Sequence, residues 1–290
     1  MKIGVAAFLT EHSGNPGDIA SEAERLGFES FWVAEHLVIP TTYTTHYIRS
    51  ADGKVPEFYA HLVDPFVALA IAAHATSRIL LGTSVCLIPE RNPIETAKAV
   101  ATLDLYSRGR VILGVGAGWF PEEAAIMGVD FKRRWRHLRE SVEAMRELWT
   151  KDDASYEGEI IKFPPVKMFP KPVQKAGPPI ILGAHDPRYA PKRAARWADG
   201  WMPGNLSPEK AAEVIPQTRK LAEANGRDPN SLEFGVLMMA AAPPSVEAIK
   251  RYAAAGVSRI VIMAAEAAAR DGVAVVRGLA PIIEAAGAAG

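Results

Sequence analysis

A carboxylate and an imidazole stand side by side where one short apolar run of this 290-residue chain ends. Glu35 and His36 follow directly after the run at 31–34. Such a pair can relay a proton, because imidazole titrates near neutral pH and a carboxylate can orient it. The adjacency therefore predicts a proton-transfer pair. An ordinary hydrogen-bonded pair that supports a loop is the alternative.

Small residues end two further apolar runs. One ends with GTSVC at 82–86 and the next with GVGAGW at 114–119. Residues without bulk allow a flat molecule to lie close to the backbone, so both ends are candidate ligand contacts. Trp119 could stack on a planar ring or simply fill space. Cys86 lies inside an apolar run, which is typical of a buried and unreactive thiol.

A possible anion site follows another apolar run. Gly183, Ala184 and His185 stand just before a possible helix start at residues 186 and 187. Backbone N–H groups at a helix N-terminus favour negative charge, and His185 and Arg188 could assist. The pattern is equally typical of a tight strand-to-helix turn.

Cationic and imidazole side chains crowd one short segment, at Lys132, Arg133, Arg134, Arg136, His137 and Arg139. Cations at the start of a helix oppose the helix dipole, so the cluster suggests an anionic group nearby. A solvated face that is partly paired with Glu140 and Glu143 is the simpler interpretation.

The elements that must position these residues form an alternating pattern. Apolar runs predict eight strands, at residues 2–8, 29–33, 78–87, 110–115, 179–183, 199–203, 233–239 and 259–263. Continuously apolar strands are typical of a parallel sheet covered by helices. Four predicted helices begin at a capping residue followed by proline: Asp64, Asn92, Asp186 and Ser207. Apolar residues at helical spacing predict a long helix over 135–149.

Eight strand–helix units in a chain of this length predict a (β/α)₈ barrel. A doubly wound sheet is disfavoured because the first strand is not followed by a glycine-rich phosphate turn. We expect one domain over residues 1–290, with insertions near 38–64 and 152–179, the second containing a possible hairpin at 154–163. The first insertion follows a strand and should lie on the C-terminal face, where barrel active sites occur.

Composition narrows the possible partners and location. Lys plus Arg and Asp plus Glu each number 33, so no net field attracts nucleic acid or an anionic membrane. One cysteine, no signal-peptide pattern and no long apolar stretch make the cytoplasm the expected location. No metal-binding motif, P-loop or Gly-x-Ser-x-Gly elbow is present, and we expect no metal. Glu35 and Glu122 remain a possible glycosidase pair, with nothing to single them out.

Six blocks of this sequence resemble the bacterial luciferase-like monooxygenase superfamily. They are WVAEH at 32–36, LGTSV at 81–85, RNP at 91–93, LDLYSRGRVILGVGAGW at 103–119, PPIILG at 178–183 and ADGW at 198–201. The resemblance covers roughly residues 1 to 265, and the block at 103–119 is the most specific. Within the superfamily the chain looks most like the actinobacterial oxidoreductases that depend on coenzyme F420, a deazaflavin.

The resemblance implies a barrel with the tricyclic cofactor ring at its C-terminal mouth. A non-proline cis peptide near Ser84 would lie behind the ring, and backbone N–H groups of Gly183 and Ala184 would hold the phosphate. The expected cofactor contacts are Thr83, Ser84, Val85, Gly116, Ala117, Gly118, Gly183, Ala184 and His185. His36, positioned by Glu35, would carry the proton, and Trp32 and Trp119 would line the substrate pocket together with the segment 38–64.

Departures from the family pattern limit what can be carried over. Related dehydrogenases often have Asp at the position of Glu35 and Gly at that of Ala184. A glutamate that the sugar-phosphate dehydrogenases use has no match at Ala117 or Gly118, so no sugar-phosphate substrate is inferred. We expect hydride transfer between coenzyme F420 and a small organic molecule.

Three other functions remain open. The same barrel could bind flavin mononucleotide (FMN) and use dioxygen as a monooxygenase, or bind the cofactor without catalysis. A hydrolytic barrel would need no coloured cofactor. The family is often dimeric, so a homodimer is expected.

Overall fold

A closed parallel barrel forms the centre of the protein. The computed structural model describes residues 1–239, 244–263 and 270–289. The barrel strands are β1 (Lys2–Ala7), β2 (Ser30–Val33), β3 (Leu80–Thr83), β4 (Cys86–Leu87), β5 (Val111–Gly116), β8 (Ile180–Leu182), β9 (Gly200–Trp201), β10 (Glu233–Met239) and β11 (Arg259–Met263). Their order is β3-β2-β1-β11-β10-β9-β8-β5-β4, and pairing of β3 with β5 closes the ring. The predicted (β/α)₈ barrel is confirmed.

Helices surround the barrel between successive strands. They are α1 (Pro16–Leu26), α2 (Pro65–Ala75), α3 (Pro93–Ser107), α4 (Pro121–Ile126), α5 (Arg134–Thr150), α6 (Ala190–Trp197), α7 (Pro208–Ala224), α8 (Val246–Ala254), α9 (Gly272–Leu279) and α10 (Pro281–Ala289). Three predicted caps are confirmed, because the side chains of Asp64, Asn92 and Ser207 accept bonds from first-turn N–H groups. No helix among the described residues is both long and apolar enough to span a membrane.

Two predicted boundaries are wrong. The third strand, expected at 78–87, is divided into β3 and β4 around residues 84 and 85. The helix expected to begin at Pro187 begins at Ala190, because residues 187–189 form a turn. The backbone carbonyl of Asp186 accepts bonds from the N–H groups of Tyr189 and Ala190. Its carboxylate accepts from the Arg188 N–H, as in an Asx turn.

Apolar side chains alternate between two clusters along each strand. One cluster includes Val5, Phe31 and Leu113 and packs against the helices. The other includes Trp32, Ile112 and Val261, draws no residues from the α-helices and fills the interior of the barrel. Alternation of consecutive side chains across a strand produces this separation.

Two additions interrupt the minimal barrel. The connection from β2 to α2 carries a 3₁₀ helix (Glu57–His61), and an antiparallel bridge joins Thr10 to Leu62. Between α5 and β8 the strands β6 (Ala154–Glu157) and β7 (Lys162–Val166) pair as an antiparallel hairpin. The first addition lies at the C-terminal ends of the strands.

Candidate active site

A cavity of about 400 Å³ opens at the C-terminal ends of the barrel strands. Its wall includes residues that end six of the strands or follow them within two positions: Glu35, Ser84, Gly183, Met202, Met239 and Met263. The insertion contributes Tyr47, Arg49 and Tyr59, and the loop after β5 contributes Trp119. Ligand cavities are typically of this size, and active sites of this fold occupy this face.

His36 lies on the cavity wall between two partners. Its Nδ1 is 2.5 Å from Oε2 of Glu123, and its Nε2 accepts a hydrogen bond of 3.1 Å from the indole N–H of Trp119. Since Nε2 accepts a hydrogen bond, the ring proton is on Nδ1, and this N–H donates a hydrogen bond to Glu123. The Glu123 carboxylate is fully buried and also accepts from the N–H of Leu37 at 2.9 Å. The imidazole is therefore held in one tautomer and one orientation.

Glu35 does not bond to His36, which corrects the predicted pair. Its carboxylate is buried, forms an ion pair with Arg91 and accepts from the N–H of Leu87 at 2.9 Å. Arg91 also pairs with Asp64, the cap of α2. Burial raises the pKa of Glu35, and Arg91 opposes that rise. The Glu35 carboxylate is thus committed to Arg91 and Leu87 and is not a partner of His36.

Glu90 is a buried carboxyl group beside this centre. The residue is 4% exposed, and neither carboxyl oxygen has a hydrogen-bond partner among the described residues. Burial, together with the charges of Glu123 and Glu35, raises the pKa of Glu90 to about 8. The group is therefore predominantly protonated at pH 7.

The wall at Ser84 and Val85 contains the expected cis peptide bond, between these two residues. The Ser84 hydroxyl is buried on the cavity wall with no hydrogen-bond partner among the residues that the structure describes. A Cβ at Gly116 or Gly183 would lie 2.5 or 2.4 Å from a methyl group of Val85. Both glycines thus leave room for Val85.

The residues 116–118 do not line the cavity, contrary to our expectation of direct ligand contact. Gly116 packs against Val85, and Ala117 is buried. Gly118 has a positive φ of 79°, and a Cβ there would lie 2.7 Å from a carboxyl oxygen of Glu90. Close packing of protein groups therefore accounts for the glycine-rich run. Thr83 is also turned away, since its hydroxyl donates to the carbonyl of Gly114 at 2.7 Å.

The predicted anion site has one donor fewer than expected. The N–H of Gly183 donates to the carbonyl of Val115 at 2.8 Å, as a continuation of the sheet. Ala184 is buried. His185 does line the cavity, and its Nδ1 accepts from the N–H of Gly204 at 2.9 Å. Desolvation and the charge of Arg49 lower the pKa of His185, which favours the neutral imidazole.

The two tryptophans expected at the substrate pocket lie in different places. Trp119 lines the cavity and stacks on Phe120 with ring centroids 4.8 Å apart. Trp32 does not line it, which corrects the prediction: the side chain is completely buried in the barrel interior, and its indole N–H donates to Ser30. Gly82 makes room for this ring, since a Cβ there would lie 2.2 Å from it.

Other candidates have structural roles. Cys86 is fully buried, and burial raises the pKa of its thiol well above the ordinary value. Glu122 does not line the cavity and anchors the insertion by accepting bonds from Thr44 and Thr45. Although desolvation opposes the change, these bonds lower the pKa of Glu122 to about 2. A glycosidase pair of Glu35 and Glu122 therefore has no support.

The cationic cluster is mostly satisfied by neighbours. Arg133 and Arg136 pair with Glu159, whereas Arg139 pairs with Glu143. Arg134 stacks on Phe131 at 3.7 Å and donates to two backbone carbonyls. The solvated, ion-paired face is the interpretation that the structure supports.

Sequence reasoning missed Glu123, Glu90 and the tyrosines at 47 and 59. Glu123 stands in the first turn of α4, where an acidic residue has an ordinary explanation in the helix dipole. It meets His36 across 87 positions of sequence, which no local pattern indicates. The aromatic richness of the insertion was the one available signal for Tyr47 and Tyr59, whose hydroxyl groups bond at 2.7 Å.

Comparison with known proteins finds relatives of this chain over most of its length. It matches the family described as luciferase-like monooxygenase over residues 6–279. It is 36% identical to the uncharacterized protein Rv0953c of Mycobacterium tuberculosis, over 97% of this chain and 98% of that protein. It is 35% identical to the F420-dependent glucose-6-phosphate dehydrogenase of Amycolatopsis mediterranei, over 77% of this chain and 64% of the relative.

Two solved structures have a similar fold. An F420-dependent secondary alcohol dehydrogenase, in complex with an F420–acetone adduct, gives a TM-score of 0.74 at 21% identity over 99% of both chains. The oxygenating constituent of the 3,6-diketocamphane monooxygenase from Pseudomonas putida, in complex with FMN, gives 0.66 at 18% identity over 87% of this chain and 70% of that chain. At these identities the likeness establishes the fold.

Proposed function

We propose, from the premise that this chain belongs to the luciferase-like monooxygenase family, that it transfers a hydride between coenzyme F420 and a small organic substrate. The observation that carries the proposal is the cavity wall, which combines His36, held by Glu123, with a Ser84 hydroxyl that has no partner in the described part of the chain. A relative that is 35% identical is named for its dependence on F420.

The wall fits a flat cofactor with a polar edge. The buried hydroxyl of Ser84 needs a hydrogen-bond partner, and leaving such a group unpaired costs about 1–3 kcal/mol. Val85 beside it presents an apolar surface, with Gly183 packed behind its side chain. These residues would hold the ring of a deazaflavin, which when bound supplies the hydride acceptor or donor.

His36 would move the proton that accompanies the hydride. Its Nε2 is the unprotonated ring nitrogen that can accept a proton. Glu123 would stabilise the positive charge that the imidazole then carries. The indole N–H of Trp119 now occupies that nitrogen. A substrate hydroxyl would therefore exchange places with the Trp119 contact before donating its proton to Nε2.

The rest of the wall favours an apolar substrate. Phe8, Leu237 and the methionines at 202, 239 and 263 face the cavity. Arg49 is the one arginine or lysine among its described lining residues. A small alcohol or carbonyl compound with an apolar body fits this surface, whereas a phosphorylated sugar would ordinarily need several cations.

An FMN-dependent monooxygenase is the second candidate. A structural neighbour contains FMN, and the family is described by its monooxygenases. The two functions share one site and differ in reactivity, since reduced flavin reacts readily with dioxygen and a reduced deazaflavin does not.

Fluorescence titration of the purified protein with F420 and, separately, with FMN tests the proposal. We expect tighter binding of F420, and Ser84→Ala should weaken it by about 2- to 10-fold, the worth of one hydrogen bond. Ser141→Ala is the matched control, because its hydroxyl is also buried without a partner among the described residues but lies on α5 away from the cavity. Preference for FMN would favour the monooxygenase, and binding of neither would refute both.

His36→Ala separates catalysis from simple cofactor binding. The variant should retain F420 binding and lose most substrate-dependent oxidation or reduction of the cofactor, by about 100-fold or more. A variant that binds and turns over like the parent protein would eliminate the proton-transfer role of His36.

A further inference from the structure

Three metal-ligating side chains meet where the residues after β1 face the insertion, and two of them, His12 and His61, line a second pocket of about 370 Å³. Glu11 and His12 follow β1, and His61 ends the 3₁₀ helix of the insertion. Nδ1 of His61 lies 2.7 Å from Oε1 of Glu11, and Nε2 of His12 lies 3.8 Å from the same oxygen. One ligand atom from each residue lies within 4.8 Å of the other two. Ligands about 2 Å from one ion are separated by roughly 3–4 Å, so small side-chain rotations would suffice.

The backbone that carries these residues is fixed by local bonds. The N–H of Thr10 donates to the Ser13 hydroxyl at 2.9 Å, and the N–H of His12 donates to the Thr10 hydroxyl at 3.1 Å. The two segments are also joined directly, since the N–H of Val63 donates to the carbonyl of Leu9 at 3.0 Å. The ligands therefore face each other before any ion binds, which lowers the entropic cost of binding.

A second carboxylate stands behind one ligand. Oε1 of Glu57 lies 4.0 Å from Nε2 of His61, the ring nitrogen opposite the one that faces Glu11. Carboxylates commonly accept the second N–H of a metal-bound histidine and orient its ring. Glu57 would do this for His61 after approaching to hydrogen-bond distance.

We propose that Glu11, His12 and His61 form a binding site for Zn²⁺, with Glu57 as the orienting carboxylate. Two imidazoles and one carboxylate suit zinc, and a water would complete a tetrahedral set. No sequence motif indicates the cluster, because His61 is separated from Glu11 by 50 positions.

The ion would fasten the insertion to the exit of β1. Tyr59, two residues before His61, lines the cavity and packs on Phe8, which directly follows β1, with ring centroids 5.1 Å apart. Zinc would thus bridge the two segments that present this part of the wall. Arg270 also borders the second pocket, beside His12 and His61.

Isothermal titration of untagged, chelator-treated protein with ZnCl₂ tests the site. We expect one equivalent of Zn²⁺ to bind, and His61→Ala and His12→Ala each to weaken binding by about 10-fold or more. His74→Ala, at an exposed histidine of α2, is the control and should bind like the parent protein. Mg²⁺ should produce no comparable heat, because it prefers a shell of oxygen ligands.

Cobalt provides a second readout that does not depend on stability. Co²⁺ at the same site should give visible d–d absorption that both histidine variants lose while their circular dichroism is unchanged. The proposal is overturned if no Zn²⁺ binds, or if stoichiometric binding survives in both His12→Ala and His61→Ala. The test needs no cofactor or substrate, so its result is independent of the proposed enzymatic function.

Discussion

At the scale of single residues, the partner of His36 is set by the fold and not by the neighbouring position in sequence. Glu123 reaches the imidazole from α4, whereas the adjacent Glu35 is committed to Arg91. Residue type and position at a strand end predicted that an imidazole and a carboxylate would lie at the mouth. Which carboxylate contacts the imidazole depends on long-range packing, which local sequence patterns do not predict.

A double-mutant cycle distinguishes the two carboxylates. We expect His36→Ala and Glu123→Ala to couple by about 1–3 kcal/mol in the free energy of unfolding, because they remove the same charged hydrogen bond. His36→Ala and Glu35→Ala should couple by less than about 0.5 kcal/mol. Urea unfolding of the single and double variants measures both terms. Stronger coupling to Glu35 would contradict the observed geometry.

Glu90 makes a pH-dependent contribution to stability. Its pKa is raised from 4.5 to about 8 in the folded protein, first by burial and then by Glu123 and Glu35. Between these values the unfolded chain releases the proton and the folded protein retains it, so the stability that this group contributes falls as pH rises from about 4.5 to 8. Glu90→Gln removes the ionisation while keeping the shape of the side chain.

The free energy of unfolding of Glu90→Gln relative to the parent protein should therefore grow between pH 5 and 8, by a few kcal/mol in total, and level off above pH 8. Chemical unfolding at four pH values in this range gives the difference. Glu223→Gln, at an exposed position on α7, should show no such trend. A flat difference for Glu90→Gln would mean that the carboxyl is ionised and solvated in the folded state.

At the scale of elements, the joint between β3 and β4 explains why glycine stands at the ends of two other strands. Val85 occupies the space where side chains at 116 and 183 would lie. Gly183→Ala should destabilise the protein by about 1–3 kcal/mol, the usual cost of overpacking. The double variant with Val85→Ala should recover at least half of that loss. If the double variant is less stable than either single variant, packing against Val85 is not the reason for the glycine.

Helix starts were predictable because their signals are local. Asp64, Asn92 and Ser207 each precede a proline and cap the first turn of their helix. The same pattern at Asp186 was misleading, because its carboxylate is used by a turn and by Arg188. A cap and an Asx turn need the same residue type, so sequence alone does not separate them.

At the scale of the whole molecule, the barrel was predictable from its alternating pattern, whereas the bonds of one buried cation beside its closing strands were not. Arg110 precedes β5 and donates to four backbone carbonyls, those of Ala73, Thr76, Ile79 and Ser107. These carbonyls lie near the ends of α2 and α3 and beside β3, which pairs with β5 to close the sheet. This role of Arg110 was not predictable from the sequence, because an arginine before a strand is ordinarily exposed and charged.

Arg110→Ala should lower the free energy of unfolding by about 3 kcal/mol or more, because several buried carbonyls lose their donors together. Arg110→Lys should recover part of the loss, since an ammonium group donates fewer and differently directed bonds. Denaturant unfolding provides the comparison, with Arg78→Ala as the exposed control. Equal stability of Arg110→Ala and Arg78→Ala would show that the hydrogen bonds of Arg110 to these carbonyls do not stabilise the barrel.

Trp119 is one of six tryptophans in the chain, and its contact with His36 makes its share of the fluorescence sensitive to the cavity. An indole whose N–H is bonded to a titratable ring, and whose face stacks on Phe120, emits according to what occupies that wall. A ligand that takes the place of the indole at Nε2, or that absorbs in the emission band of tryptophan, changes the fluorescence of Trp119 without any attached dye. Ligand binding at this wall can therefore be followed by tryptophan fluorescence, from a residue in contact with His36, the residue that would move the proton.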